Sequence, residues 1–161
     1  RGLGDVYKRQ PSSTELANIA IGVAQNAKKL GFIPKVAILS YSNFGNPSGS
    51  NTKTINECLK ILEDKKVSFE FDGEMTAEVA LDYNLIKENY PFCKLSGPAN
   101  VLIMPDLYSA NISFKLLQKM ENLSVIGPIM IGGNNPFQIV QMGSSVSDIV
   151  NSACISTYNA L

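Results

Sequence analysis

From Pro11 onward the chain alternates between two hydrophobic periods, and this alternation restricts its fold more than any other feature. Leu16, Ile19, Ala20, Val23, Ala24, Ala27 and Leu30 recur at the spacing of one helix face, opened by a Ser12–Glu15 capping box and closed by Gly31. Residues 35–40 form a short β-branched apolar run of strand length. Ile55, Cys58, Leu59 and Leu62 mark a second helix face, and residues 67–71 a second strand. Residues 76–89 read as a short helical segment stopped by Pro91, and residues 101–104 as a third strand bounded by Gly-Pro and Pro-Asp. A helix with Ile112, Leu116, Leu117 and Met120 on its apolar face follows, ending near Asn122. Residues 124–131 read as a strand kinked at Gly127-Pro128, residues 139–140 as a weak strand. The last helix starts near Ser145 and buries Val146, Ile149, Val150 and Ala153. Strands separated by helices predict an α/β fold: a mostly parallel sheet with helices on both faces.

In such a sheet the loops starting at Ser40, Asp72, Asp106 and Gly132 open on one edge, where α/β folds place ligands. Ser40, Ser42 and Asn43 lie in the first of these loops, whose hydroxyls and N–H groups could hold a phosphate at a helix N-terminus. The competing account is a surface loop capped by Asn51 or Thr52. Asp72 and Glu74 flank Gly73 at an expected strand end; one acid capping a helix is the commoner use of such a pair than acid–base work. Asp106, Ser109 and Asn111 either bind a polar ligand or serve locally, with Ser109 as helix N-cap.

Composition narrows the functions. The 161 residues are 45% apolar and 17% charged, with 14 basic and 14 acidic residues and no basic stripe, so nucleic acid and anionic membranes are poor partners. No run of about 20 apolar residues or signal peptide is visible. With no histidine, Ser-His-Asp and Cys-His catalysis and His-ligated metals are excluded within the chain, and no metal ligands are expected. Of the three cysteines, Cys58 and Cys154 fall on apolar helix faces as expected buried thiols, and Cys93 in its loop is the one reactive candidate. Reduced thiols fit a cytoplasmic location. Residues 1–10 lack periodicity and resemble translated adapter sequence, so they are read as a non-native tail. Without them the formal charge falls to −2, three basic residues and one acidic residue being removed.

Four blocks in one order carry a resemblance: Ser40-Tyr-Ser-Asn-Phe-Gly45, Asp72-Gly-Glu-Met75, Gly97 through Asn111, and Ile126-Gly-Pro-Ile129. Together they resemble the phosphate acetyltransferase family, most closely the acetyltransferase-like domain at the C-terminus of bacterial NADP-dependent malic enzymes. The resemblance implies that residues 11–161 are the C-terminal part of such a domain. It implies acetyl-CoA or a related metabolite as effector, a role in regulation and homo-oligomer assembly, and a parent reaction converting malate to pyruvate. NADP and the divalent metal would belong to upstream domains. Ser40, Ser42, Asn43, Asp72, Glu74, Asp106, Ser109 and Asn111 are the ligand-binding candidates. Family enzymes carry a Ser-Arg pair before the last helix and an Asp in its first turn. Here the pair is Gln141-Met142, which cannot hold a phosphate dianion as a guanidinium does, and Asp148 keeps the acidic position. Asp148 is thus a weak catalytic candidate, and Ser145-Val-Ser-Asp148 reads more simply as a capping box. An active phosphate acetyltransferase is the alternative to a regulatory module.

Overall fold

The computed structural model describes residues 10–47, 49–120, 123–133 and 135–160. The expected tail at residues 1–10 lies outside them save for Gln10, as does the expected helix end near Asn122. Two compact units divide the chain, residues 1–112 and 113–161.

The first unit is built on a parallel sheet of three strands, β1 (Lys35–Leu39), β2 (Glu70–Met75) and β3 (Val101–Ile103), in the order β2-β1-β3. In β1, Val36 and Ile38 point to one face and Ala37 and Leu39 to the other, the period-2 alternation of a strand buried on both sides. Helices α1 (Ser13–Lys29) and α2 (Ser50–Asp64) cover the first face through Leu16, Ala20, Ala24, Ile55, Cys58 and Leu62. Helices α3 (Ala77–Leu81) and α4 (Tyr83–Asn89) supply Val79, Ala80 and Ile86 to the second. Each fully buried Leu, Ile or Val in these layers stabilises the fold by ~1.5–3 kcal/mol. Asn100 extends the ladder beyond β3, accepting from Lys35 N–H at 2.8 Å and donating to the Ile33 carbonyl at 2.9 Å.

Local signals hold well here. Ser12 and Glu15 exchange the two bonds of a capping box at the start of α1. Ile19 and Leu30, expected inside, are exposed instead, while Ala17 is buried, so the α1 stripe is rotated toward its small residues. The helical stretch 76–89 is two helices, because Asp82 leaves helical geometry and caps α4 from Asn84 and Leu85 N–H. Gly49 is the N-cap of α2, without a side-chain bond, in place of the expected Asn51 or Thr52.

β2 departs from expectation most. Its ladder runs from Glu70 to Met75 rather than over residues 67–71, so Asp72, Gly73 and Glu74 lie inside the strand. Gly73 allows this: a Cβ there would stand 2.8 Å from the Ile38 carbonyl oxygen.

The second unit holds the end of α5 (Leu107–Leu117) and all of α6 (Val146–Ala160). Neither residues 124–131 nor 139–140 form a strand, since no ladder partner adjoins their described backbone. Gln138 alone imitates one, accepting from Met130 N–H at 2.9 Å and donating to its carbonyl at 3.2 Å. The faces expected to be buried are exposed: Ile112, Leu116, Leu117 and Met120 around α5, and Val146, Ile149, Val150, Ala153 and Cys154 on α6. Among the described residues no helix is long and apolar enough to cross a membrane.

Candidate functional site

The loop after β1 is organised by a two-residue turn. Asn43 and Asn46 exchange N–H···O bonds of 3.0 Å, and Phe44 and Gly45 between them have φ of 51° and 90°, the left-handed pair that closes a tight hairpin. Phe44 has no glycine's freedom there, and its ring compensates by packing on Tyr90 (5.1 Å) and Phe92 (4.9 Å). Asn43 Oδ1 accepts from Thr76 N–H at 2.7 Å and Phe44 N–H donates to the Glu74 carbonyl at 2.8 Å, binding the loop to the end of β2.

Glu74 sits beneath the turn, 1% exposed. Its Oε1 accepts from Ser42 Oγ at 2.6 Å, Gly45 N–H at 3.1 Å and Thr52 Oγ1 at 3.3 Å. Oε2 is buried with no partner among the described residues. Ser42 is itself fully buried, and its Oγ lies 3.1 Å from the half-buried Ser40 Oγ. A carboxylate left without such donors would be costly to bury, so loop and acid stabilise one another.

Asp72 is not at the rim. It is 8% exposed in mid-strand and accepts from Gly73 N–H at 2.9 Å and Lys94 N–H at 2.7 Å. The expected strand-end pair of acids is therefore two acids turned inward, each tied to a different loop. Nearby, burial pushes the Cys93 thiol up to about 11, with the charge of Asp72 adding to the effect; that is the opposite of an activated thiol.

At the end of β3, α5 begins at Leu107, three residues earlier than a Ser109 cap requires. Asp106 takes the capping position: its Oδ1 accepts from Ser109 N–H at 2.8 Å, while Ser109 Oγ donates back to the Asp106 carbonyl at 3.0 Å. Both side chains are thereby engaged locally, and Asn111 is exposed. Asp106 also stands at the lip of an apolar groove of about 390 Å³ lined by Ile19, Val23, Leu102, Met104 and Leu107.

The second unit has a pocket of its own, about 190 Å³, onto which Gln118, Pro128, Gln141, Met142, Asp148 and Ser152 all open. No Lys or Arg is among the described lining residues. Asp148 Oδ2 accepts from Ser145 N–H at 2.9 Å and Ser145 Oγ at 2.8 Å, and Ser145 Oγ accepts from Asp148 N–H at 3.2 Å. These bonds hold its carboxyl below the usual carboxylate range.

Ser40, Ser42, Asn43 and Glu74 thus converge, Asp106 and Ser109 pair, and Asp72 and Asn111 stand apart from both groups. Gly45 and Thr52, missed as site residues, complete the Glu74 cluster. The glycine of the turn and the hydroxyl after the loop were visible, but only the buried acid gives them a role. Among the described residues no three of Cys, Asp and Glu gather as a metal site would require.

Residues 3–157 match the family described as phosphate acetyl/butaryl transferase. An NADP-dependent malic enzyme of Rhizobium meliloti is 51% identical over 93% of the chain, and a phosphate acetyltransferase of Helicobacter pylori 38% identical over 93%. The chain spans 20% of the first protein's length and 29% of the second's. The EutD phosphotransacetylase of Staphylococcus aureus superimposes with a TM-score of 0.85 at 31% identity, over 94% of this chain and 47% of that one.

Proposed function

The chain belongs to the phosphate acetyl/butaryl transferase family, and from that premise we propose that it is the acetyltransferase-like part of an NADP-dependent malic enzyme, binding acetyl-CoA as a regulatory ligand without turning it over. The observation that carries this reading is the second-unit pocket. Gln141 and Met142 line it where family enzymes have Ser-Arg, and no described cation replaces the arginine. Phosphate would lack its bidentate partner there, and Asp148 is already engaged at the helix start. Malic enzymes at 51% and 45% identity, each matched over about a fifth of its length, support the parent assignment.

Under this reading the oxidation and decarboxylation of malate, with NADP and a divalent ion, belong to other parts of a longer cytoplasmic protein. The matched part regulates that reaction and helps assemble a homo-oligomer. Titration calorimetry with acetyl-CoA, paired with an acetyl phosphate assay, tests it. Heat of binding with no acetyl phosphate is the expected result. Turnover at ordinary enzymatic rates would establish the second reading, an active phosphate acetyltransferase, which the 38% identity to the Helicobacter pylori enzyme favours.

A further inference from the structure

The hydrogen bonds around Glu74 have a direction, and the direction determines what the loop after β1 offers a ligand. Three groups converge on Glu74 Oε1, and one of them, the Gly45 N–H, can only donate, so this oxygen accepts. Ser42 has one hydroxyl proton, and its 2.6 Å bond to Glu74 Oε1 uses it. Ser42 Oγ can therefore only accept from Ser40 across their 3.1 Å contact, so Ser40 is the donor there and its one proton is used as well. Since Ser42 is fully buried and Ser40 is not, a ligand meets Ser40, whose remaining capacity is a lone pair. The N–H groups of residues 40 and 43–46 give an anion no more help. The N–H groups of Ser40, Asn43, Phe44, Gly45 and Asn46 donate to Met75 O, Asn46 O, Glu74 O, Glu74 Oε1 and Asn43 O respectively. The Glu74 carboxyl lies beneath the same turn.

We propose that Glu74 is a positioning residue that polarises the Ser42–Ser40 pair, so that this loop accepts a neutral hydrogen-bond donor and rejects phosphate. This rests on the acetyl-CoA reading for its ligand: the donor is an amide N–H of the pantetheine arm, and the CoA phosphates lie elsewhere. The sequence alone leaves phosphate binding and a plain surface loop both open here; the geometry assigns the loop the opposite polarity.

Neutron diffraction from crystals of the chain exchanged into D2O tests the direction without any ligand. Deuterons on Ser42 Oγ toward Glu74 and on Ser40 Oγ toward Ser42 are expected; a deuteron on Glu74, or Ser42 pointing at Ser40, overturns the proposal. Amide NMR of the full chain then tests the selectivity. Inorganic phosphate at tens of millimolar should leave the Ser40 signal of the parent chain unmoved. In Ser42→Ala, Ser40 loses its acceptor and its proton is freed, so phosphate should shift that signal. This is a gain that a merely loosened fold would not give. Ser40→Ala should lower acetyl-CoA affinity about tenfold and acquire no phosphate response. A phosphate shift at Ser40 in the parent overturns the proposal whatever acetyl-CoA does. If the deuterons and the phosphate results come out as expected but acetyl-CoA binds nowhere on the chain, the regulatory reading fails and the polarity assignment stands.

Discussion

A methyl group at Gly73 would lie 2.8 Å from the Ile38 carbonyl oxygen and 3.0 Å from Ile38 Cβ, against backbone in the central strand that cannot move aside. Gly73→Ala should therefore cost about 2–3 kcal/mol, the scale of overpacking in a rigid core, seen as a lower urea midpoint. Thiol chemistry gives a second residue-level prediction. Burial pushes Cys58 and Cys93 up to about 11, leaving on the order of one thiolate in a thousand at pH 8, whereas Cys154 is exposed. Mass spectrometry after brief iodoacetamide treatment should find Cys154 alkylated at least about tenfold faster than the other two. For Asp148, whose folded pKa is lowered by Ser145, the contribution to stability is present above its unfolded value of about 3.9 and is lost as pH falls through the folded value. Protection factors of the first-turn amides of α6, in which the intrinsic pH dependence of exchange is divided out, should fall below about pH 4 and stay flat from pH 5 to 7. The Ser12–Glu15 and Ser145–Asp148 boxes were legible as sequence because both partners lie three residues apart. The burial of Glu74 was not, since its donors come from residues 42, 45 and 52, brought near only by the sheet.

Elements follow the same division. Ser12→Ala removes the side-chain acceptor at the start of α1 and should cost about 1 kcal/mol in thermal or urea unfolding, with Asp82→Ala similar at α4. The strands β1 and β3 stand where apolar β-branched residues cluster, and the helices where the period is 3.6. β2 starts three residues and ends four residues beyond the expected 67–71, because its apolar run, Val67 to Phe71, precedes the polar residues that pair with β1. What selects the register is Gly73 opposite Ile38, a property of two strands at once. At α5, Asp106 takes the cap from Ser109 because helical geometry already begins at Leu107. Residues 124–131 have strand composition and no adjoining strand, and composition alone makes no ladder.

At the scale of the molecule, the two-faced parallel sheet was readable from the order of periods, and the division at residue 112 was not, because apolar stripes on α5 and α6 look the same covered or bare. The consequence is uneven protection. β1 lies between two strands and two helix layers, whereas α6 has no buried residue. Hydrogen exchange should find β1 amides the slowest in the chain and α6 amides roughly a hundredfold or more faster. Equal rates in the two would contradict the burial pattern.

The strand order β2-β1-β3 also sets a timetable for synthesis. Of these three strands β1 leaves the ribosome first, yet it is the middle one, and the other two arrive one after the other. One edge of β1 is satisfied once Met75 has emerged; the other waits for Val101 through Ile103, which also complete the core beneath α1 and α2. Throughout that interval a nascent chain carries an unpaired apolar edge at its most buried strand, the stage at which a chaperone or a neighbouring nascent chain competes for it most effectively.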